Sequence, residues 1–134
     1  MTSELPQKTK NPTGGATRPR LLLVEDDRAT YSALRGILSL RGWDVRVATS
    51  VAEARTELSE SIDAVILDLM LPDGGGEGLL PEIRAQFPLI PVAVTTGISD
   101  GTRIEAVEQM GATALLRKPI TLGELLKVIG PVSR

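Results

Sequence analysis

Ala64-Val65-Ile66-Leu67-Asp68 is a run of four apolar residues that ends in a carboxylate. Leu21-Leu22-Leu23-Val24 and Val92-Ala93-Val94 are similar apolar runs. Runs of this length are typical of parallel strands that are covered on both faces. Val45-Arg46-Val47 alternates instead, which predicts an edge strand with one face in water. Ala114-Leu115-Leu116 is a fifth, shorter run.

Amphipathic segments separate these runs, and their apolar residues recur at helical spacing. Tyr31, Leu34 and Leu38 form a first stripe that ends at Gly42, a residue type common after a helix. The segments that begin at Ser50 and Thr121 fit a capping box, in which Glu follows Ser or Thr by three residues. The remaining stripes are Leu79, Leu80 and Ile83; Ile104 and Val107; and Leu122, Leu125, Leu126 and Ile129. We therefore predict five helices.

The alternation of strand and helix predicts the fold class. Five repeats of this pattern indicate an α/β domain with a five-stranded parallel sheet flanked by five helices. Right-handed crossovers and an alternating strand at the edge favour the order 2-1-3-4-5, already known for flavodoxin-like folds. In such sheets ligands bind at the carboxyl ends of the strands, near the switch point between strands 1 and 3.

The first residues of the chain differ in composition from the rest. Residues 1–19 contain three prolines, a Gly14-Gly15 pair and few apolar residues. Such a segment cannot bury enough surface to offset the entropy lost on ordering. We predict a disordered tail or linker over residues 1–19, with a charged arm that binds a partner as the alternative, and one domain over residues 20–131.

Composition excludes several classes of function. The chain has no Cys and no His, which rules out disulfides, Cys/His zinc sites, His-activated nucleophiles and a phosphohistidine on this chain. Three aromatic residues and a net charge of −2 argue against a nucleic-acid surface. The sequence shows neither a membrane-spanning apolar run nor a signal peptide. We expect a soluble cytoplasmic protein.

Polar side chains follow four of the predicted strands: Glu25-Asp26-Asp27, Asp68, Thr95-Thr96 and Lys118. Each has an ordinary explanation when taken singly, such as a helix N-terminus for Asp27, an Asx turn for Asp68 or a surface position for Lys118. Together they predict a cluster at one edge of the sheet, where two carboxylates 4 Å apart repel by roughly 4 kcal/mol. Oxygen ligands without imidazole favour Mg²⁺ as the neutralising ion. A metal beside a lysine suits a phosphoryl group.

The chain from about Arg20 to Gly130 resembles the receiver domain of two-component response regulators. Four motifs carry the resemblance: Leu23-Val24-Glu25-Asp26-Asp27, Leu67-Asp68-Leu69-Met70-Leu71-Pro72-Asp73-Gly74, Val94-Thr95-Thr96-Gly97 and Leu116-Arg117-Lys118-Pro119. They occur in the family's order, and their combination is specific although each motif alone is weak.

The resemblance implies a role for each matching residue. Asp68 would accept a phosphoryl group from a histidine kinase or phosphotransfer protein. Asp26 would bind Mg²⁺ directly, Glu25 through water, and Met70 through its backbone carbonyl. Thr96, rather than Thr95, and Lys118 would contact phosphoryl oxygens. These sites are Glu25, Asp26, Asp68, Met70, Thr96 and Lys118.

The resemblance also implies an output. Phosphorylation would change protein contacts through helix 4, strand 5 and helix 5, toward an unknown downstream protein or a second copy in a homodimer. The chain would catalyse its own phosphorylation and dephosphorylation and no other reaction.

The sequence departs from the family pattern at three positions. Leu115 stands where family members often carry Tyr or Phe, so the aromatic form of the switch is absent. Met70 and Ile98 flank the path of the hydrolytic water and cannot orient it by hydrogen bonding, which predicts slow self-dephosphorylation.

Gly74-Gly75-Gly76 lacks the Gly-Lys-Ser/Thr of a phosphate loop and is predicted to be a flexible turn.

Two other functions are weighed against the switch. A Mg²⁺-dependent phosphohydrolase with an aspartyl-phosphate intermediate usually has a second Asp two residues after the nucleophile, where this chain has Met70. A binding module that no longer signals by phosphorylation would not need Asp26, Asp68, Thr96 and Lys118 together.

Overall fold

A computed structural model describes residues 18–58, 61–97 and 101–130. Most of the predicted tail and Ile98 lie outside these residues. The strands are β1 (Arg20–Val24), β2 (Asp44–Ala48), β3 (Ile62–Asp68), β4 (Val92–Thr96) and β5 (Ala114–Arg117). The helices are α1 (Arg28–Leu40), α2 (Val51–Glu57), α3 (Leu79–Gln86), α4 (Gly101–Gln109) and α5 (Leu122–Ile129).

The five strands form one parallel sheet in the order β2-β1-β3-β4-β5. The predicted fold class and strand order are therefore confirmed. β2 is an edge strand with Arg46 exposed between the half-buried Val45 and Val47, as its alternation predicts. Every residue of β4 is buried, in keeping with its continuous apolar pattern.

Apolar side chains fill both faces of the sheet. One face packs residues such as Val24, Leu67 and Val94 against helices α2, α3 and α4. The other face packs residues such as Leu23 and Ile66 against α1 and α5. Successive strand residues point to opposite faces, so each central strand contributes to both layers and needs a continuous apolar run.

Side-chain caps fix the starts of three helices. Asp27 accepts a hydrogen bond from Thr30 N at 3.0 Å at the start of α1. At α5, Thr121 and Glu124 form the complete predicted capping box. At α2, Ser50 accepts from Glu53 N, but the Glu53 carboxylate bonds to Thr49 instead of the backbone of Ser50. That predicted box is therefore only half present.

The two described residues that precede β1 contact the rest of the domain. The guanidinium of Arg18 donates to the carbonyl oxygens of Ser39, in the last turn of α1, and of Gly42, just after that helix. The carbonyl of Pro19 accepts a hydrogen bond from Asp44 N at 2.9 Å. None of the helices in the described part of the chain combines the length and apolarity that a bilayer span requires.

A small hairpin follows β3, where the glycine run predicted a flexible turn. Met70–Leu71 pairs antiparallel with Gly74–Gly75, and a 3₁₀ turn at Gly76–Gly78 leads into α3. The backbone of Gly76 lies against the end of β3, where a Cβ atom would be 2.5 Å from the Asp68 carbonyl oxygen. The third glycine of the run is thus required by close packing.

Replacing Gly76 by Ala is expected to lower the free energy of unfolding by about 1–3 kcal/mol, because the methyl group would overlap the Asp68 backbone. Gly78→Ala is the matched control in the same turn, since a Cβ there meets no neighbour within 4 Å. Equilibrium urea unfolding followed by circular dichroism measures both. Equal losses in the two variants would contradict the packing argument.

Candidate functional site

The carboxyl ends of β1, β3 and β4 meet at one edge of the sheet. Glu25 directly follows β1, and its backbone N–H donates to the Ala48 carbonyl at 2.9 Å, which extends the β1–β2 ladder by one residue. Asp68 is the last residue of β3 and pairs in register with Thr95 of β4. The parallel sheet therefore brings residues from distant parts of the sequence to the same edge.

Three carboxylates form a cluster at this edge. Glu25, Asp26 and Asp68 each offer an oxygen atom, and these atoms lie within 4.8 Å of one another. Glu25 and Asp68 are each 2% exposed, whereas Asp26 is exposed. The cluster is thus buried on the side of the sheet and open to solvent at Asp26.

Lys118 joins the cluster from the end of β5. Its ammonium lies 3.3 Å from Glu25 Oε1 and 3.3 Å from Asp68 Oδ2. Its backbone N–H donates to the Thr96 carbonyl at 2.8 Å, and the peptide bond to Pro119 is cis. One ammonium against three ionised carboxylates leaves two negative charges without a counter-ion in this cluster.

The pKa values of the cluster reflect this imbalance. Burial raises the pKa of the Glu25 carboxyl above its ordinary value of 4.5, and the Asp68 charge adds to the rise. The Asp27 N–H bond and the Lys118 charge lower the Glu25 pKa but do not outweigh these effects. Burial disfavours the charged form of Lys118, yet Asp68 and Glu25 together raise its pKa above 10.5. The environment therefore favours cations over additional negative charge.

The donor set fits a magnesium ion. Carboxylate oxygens are hard ligands, and one or two carboxylates with several waters suffice to bind Mg²⁺. A divalent cation would balance the two uncompensated charges. The Met70 backbone lies beside this set, because its N–H donates to Asp68 Oδ1 at 3.0 Å.

The two oxygens of Asp68 have different partners. Oδ1 accepts from the Met70 backbone N–H, and Oδ2 faces the Lys118 ammonium. The carboxylate is thereby fixed in orientation by a rigid donor on one side and a flexible one on the other. A nucleophilic carboxylate needs such orientation to meet an incoming electrophile.

The two threonines of β4 lie on opposite faces of the sheet, and only Thr95 lies on the same face as Asp68. Thr95 and Thr96 are both buried, and adjacent strand residues point to opposite faces. Thr95 shares the face of Asp68, whereas Thr96 shares that of Val94 and is tied to Lys118 through its carbonyl. The assignment of phosphoryl binding to Thr96 stays a prediction.

A cavity of about 350 Å³ borders the cluster on the side of α1 and α5. Glu25, Thr95 and Lys118 form its polar end, and its other walls are mainly apolar side chains such as Leu34 and Ile120. Leu115 lies on the opposite face of the sheet, half-buried against the core formed with α2, α3 and α4. No aromatic ring occupies its position.

One residue near the site was not singled out from the sequence. Asp73, at the tip of the hairpin, accepts hydrogen bonds from the backbone N–H groups of Val51 and Ala52. The Pro72-Asp73-Gly74 triplet signals a turn. No feature of the sequence indicated that this turn would reach the start of α2.

Comparison with protein families matches residues 21–130 to the response regulator receiver domain. The chain is 33% identical over 115 residues to the transcriptional regulatory protein CpxR of Klebsiella pneumoniae, covering 86% of this chain and 49% of that protein. It is 35% identical over 108 residues to a cyclic di-GMP phosphodiesterase of Thermotoga maritima, covering 81% of this chain and 29% of that protein. The chain thus spans half or less of these curated relatives.

A solved structure shows the same fold. The non-phosphorylated HemR receiver domain of Leptospira biflexa superposes with a TM-score of 0.75 at 32% identity. The match covers 82% of this chain and 90% of that one.

The raised pKa of Glu25 predicts a pH-dependent stability in the absence of divalent cations. The protonated Glu25 carboxyl contributes its full stabilisation below pH 4.5. This contribution is lost as the pH rises through the raised pKa of Glu25 in the folded chain. Glu25→Gln should therefore raise the melting temperature at pH 7 in EDTA and should leave it unchanged near pH 4.

Thermal unfolding from pH 4 to pH 8 measures this effect. Glu108→Gln, on the exposed side of α4, is the control for the removal of one negative charge. A lower melting temperature of Glu25→Gln at pH 7 would show that its ion pair with Lys118 outweighs its burial.

Proposed function

The chain belongs to the response regulator receiver domain family, and we propose that it is a phosphorylation-dependent signalling switch with Asp68 as phosphoacceptor. One observation carries the assignment of Asp68. Its carboxylate is buried between two further carboxylates and the Lys118 ammonium, at the carboxyl end of a central strand. Replacing buried charges by apolar residues of similar size is often neutral or stabilising, so stability alone is a weak reason for an acidic group at this position.

The phosphoryl donor would be a partner protein. Receiver domains receive the phosphoryl group from histidine kinases or phosphotransfer proteins, and this chain contains no histidine of its own. The cytoplasmic location expected from the composition remains a prediction.

The reaction is a transfer between nitrogen and oxygen. An Asp68 oxygen attacks phosphorus, the bond from phosphorus to the donor imidazole nitrogen breaks, and that nitrogen keeps the electron pair. Lys118, already 3.3 Å from Asp68 Oδ2, would move to a phosphoryl oxygen as negative charge develops there. The Thr96 hydroxyl would donate to a second phosphoryl oxygen.

A magnesium ion would complete the site. Glu25, Asp26, Asp68 and the Met70 carbonyl would hold it, and when bound it supplies positive charge opposite the phosphoryl oxygens. The two uncompensated charges of the cluster and its oxygen-only donors support this assignment.

The output would pass through α4, β5 and α5. Lys118 is bonded through its backbone to Thr96, and Leu115 of β5 pairs in register with Val94 of β4. A shift of Thr96 and Lys118 toward the phosphoryl group would therefore displace β5 and repack Leu115. The altered surface would bind a downstream protein or a second copy of the chain.

The chain would not act as an enzyme on external substrates. The phosphodiesterase activity named for the Thermotoga maritima relative is not carried over, because this chain matches 29% of that protein. The phosphohydrolase alternative would need a general acid two residues after Asp68, where this chain has Met70. A module that no longer signals by phosphorylation would not require the bonds of Lys118 to both buried carboxylates. We retain residues 20–131 as the proposed domain.

Incubation with Mg²⁺ and phosphoramidate should add the mass of one phosphoryl group to the whole chain. Asp68→Asn should abolish the gain, because the amide is not a nucleophile of comparable strength, and EDTA should abolish it in the wild type. Intact mass spectrometry measures all three. Asp63→Asn, on β3 five residues before Asp68, is the matched control and should be labelled like the wild type. A gain that survives Asp68→Asn would overturn the assignment.

The phosphorylated form should be long-lived. Met70 is 55% exposed beside Asp68, and its side chain cannot hold a hydrolytic water by hydrogen bonding. Met70→Asn should shorten the half-life of the phosphorylated chain by roughly tenfold. This change is smaller than the usual rate contribution of a positioned general acid or base. Decay after removal of the phosphodonor is followed by mass, with Met70→Leu as the control. Equal half-lives in all three chains would refute this role. Ile98, the second position implicated, lies outside the described residues.

A further inference from the structure

The hairpin after β3 carries the Met70 backbone next to Asp68. Met70 N donates to Asp68 Oδ1 at 3.0 Å, so a displacement of the hairpin also displaces a donor to the phosphoacceptor. The base of the hairpin is anchored on the sheet, where Leu69 N donates to the Thr95 carbonyl at 3.0 Å and Gly76 N to the Leu69 carbonyl at 3.3 Å. Neither of these bonds holds its tip.

Asp73 anchors the tip. Its Oδ1 accepts from Val51 N at 2.8 Å and its Oδ2 from Ala52 N at 3.1 Å. The hydrogen bonds from Val51, with the larger effect, and from Ala52 lower the pKa of Asp73 below 3.8. The Asp73 carboxylate is therefore ionised at neutral pH. Ser50 Oγ accepts from Glu53 N. Asp73 thus supplies two of the three caps of α2, from a segment more than twenty residues away.

The start of α2 is itself fixed to the acidic cluster from the other side. α2 follows β2, and the last residue of β2, Ala48, accepts the hydrogen bond from Glu25 N. The contacts therefore form a closed ring. From Glu25 the ring runs through β2 and α2 to Asp73 in the hairpin. From the hairpin it returns through Asp68 and Lys118 to Glu25. Asp73 is the link between the two loops that flank the cluster.

We propose that Asp73 is a positioning residue for the reaction at Asp68: by binding the first N–H groups of α2, it holds the Met70 backbone where its carbonyl can join the carboxylates around Mg²⁺. The inference rests on the proposed function. It distinguishes Asp73 from an ordinary helix cap, whose loss would weaken α2 without changing the cation site.

The sequence offers a matched control in Ser50. Ser50→Ala also removes a cap from α2, but leaves the hairpin attached. Titration calorimetry of the full chain with Mg²⁺ should show a dissociation constant raised about threefold to tenfold in Asp73→Ala, somewhat below the usual effect of groups that orient a metal ligand directly. Asp73→Asn keeps one acceptor oxygen and should lie between Asp73→Ala and the wild type. Ser50→Ala should change the constant by less than about twofold.

Labelling by phosphoramidate supplies the second readout. Asp73→Ala should be labelled slowly at low Mg²⁺ and close to the wild-type rate at saturating Mg²⁺, which a general loss of folding would not produce. Unchanged Mg²⁺ affinity in Asp73→Ala, or an equal loss in Ser50→Ala, would overturn the inference, as would a wild-type chain that does not bind Mg²⁺. A wild-type chain that binds Mg²⁺ but is not labelled would refute the proposed function, while the calorimetry would still decide the role of Asp73.

Discussion

The burial of two carboxylates side by side is the constraint on which the rest of the site depends. Glu25 and Asp68 are each 2% exposed, and their oxygens belong to one cluster with those of Asp26. Removing such groups from water costs several kcal/mol per ion unless nearby charges and hydrogen bonds compensate. Lys118 and the backbone N–H groups of Asp27 and Met70 supply part of that compensation. Under the proposed function, a divalent cation would supply the remainder, and a phosphoryl group would bind in its presence.

The parallel sheet makes this arrangement possible. Its apolar runs bury both faces, so the strands hold the backbone at their carboxyl ends without contributions from the polar residues themselves. Leu67 and Asp68 illustrate the division of roles along one strand. Leu67 packs into the core on one face, and the next residue ends the strand with its charge at the edge. Stability generated by the core thus offsets the electrostatic cost of the edge.

The sequence was sufficient to predict the architecture and the grouping of Glu25, Asp26, Asp68 and Lys118. Both follow from rules that act along one chain segment or on the order of segments: periodicity assigns the strands, and parallel pairing brings their ends together. The hairpin, the close approach of Gly76 and the cap that Asp73 provides were not predictable in this way. They depend on which side chain of one loop reaches the backbone of another, and the turn signal at Pro72-Asp73-Gly74 is the same whatever it contacts. The half-formed capping box at Ser50 has a related cause, since the Glu53 carboxylate accepts from the backbone and hydroxyl of Thr49, a partner that the motif does not include.

The different partners of the two Asp68 oxygens offer the proposed phosphorylation two routes into the domain. Oδ1 is bonded to the hairpin, which continues through Asp73 to α2. Oδ2 is bonded to Lys118, which continues through its backbone to Thr96 and β5. A phosphoryl group on either oxygen alters the bonding of that oxygen and redirects Lys118, which until then is shared with Glu25. Packed cores resist gradual deformation and favour discrete alternatives. Under the proposed function, a small displacement at Lys118 would be transmitted along β5 as a change of packing at Leu115, where this chain has an aliphatic side chain and no aromatic ring.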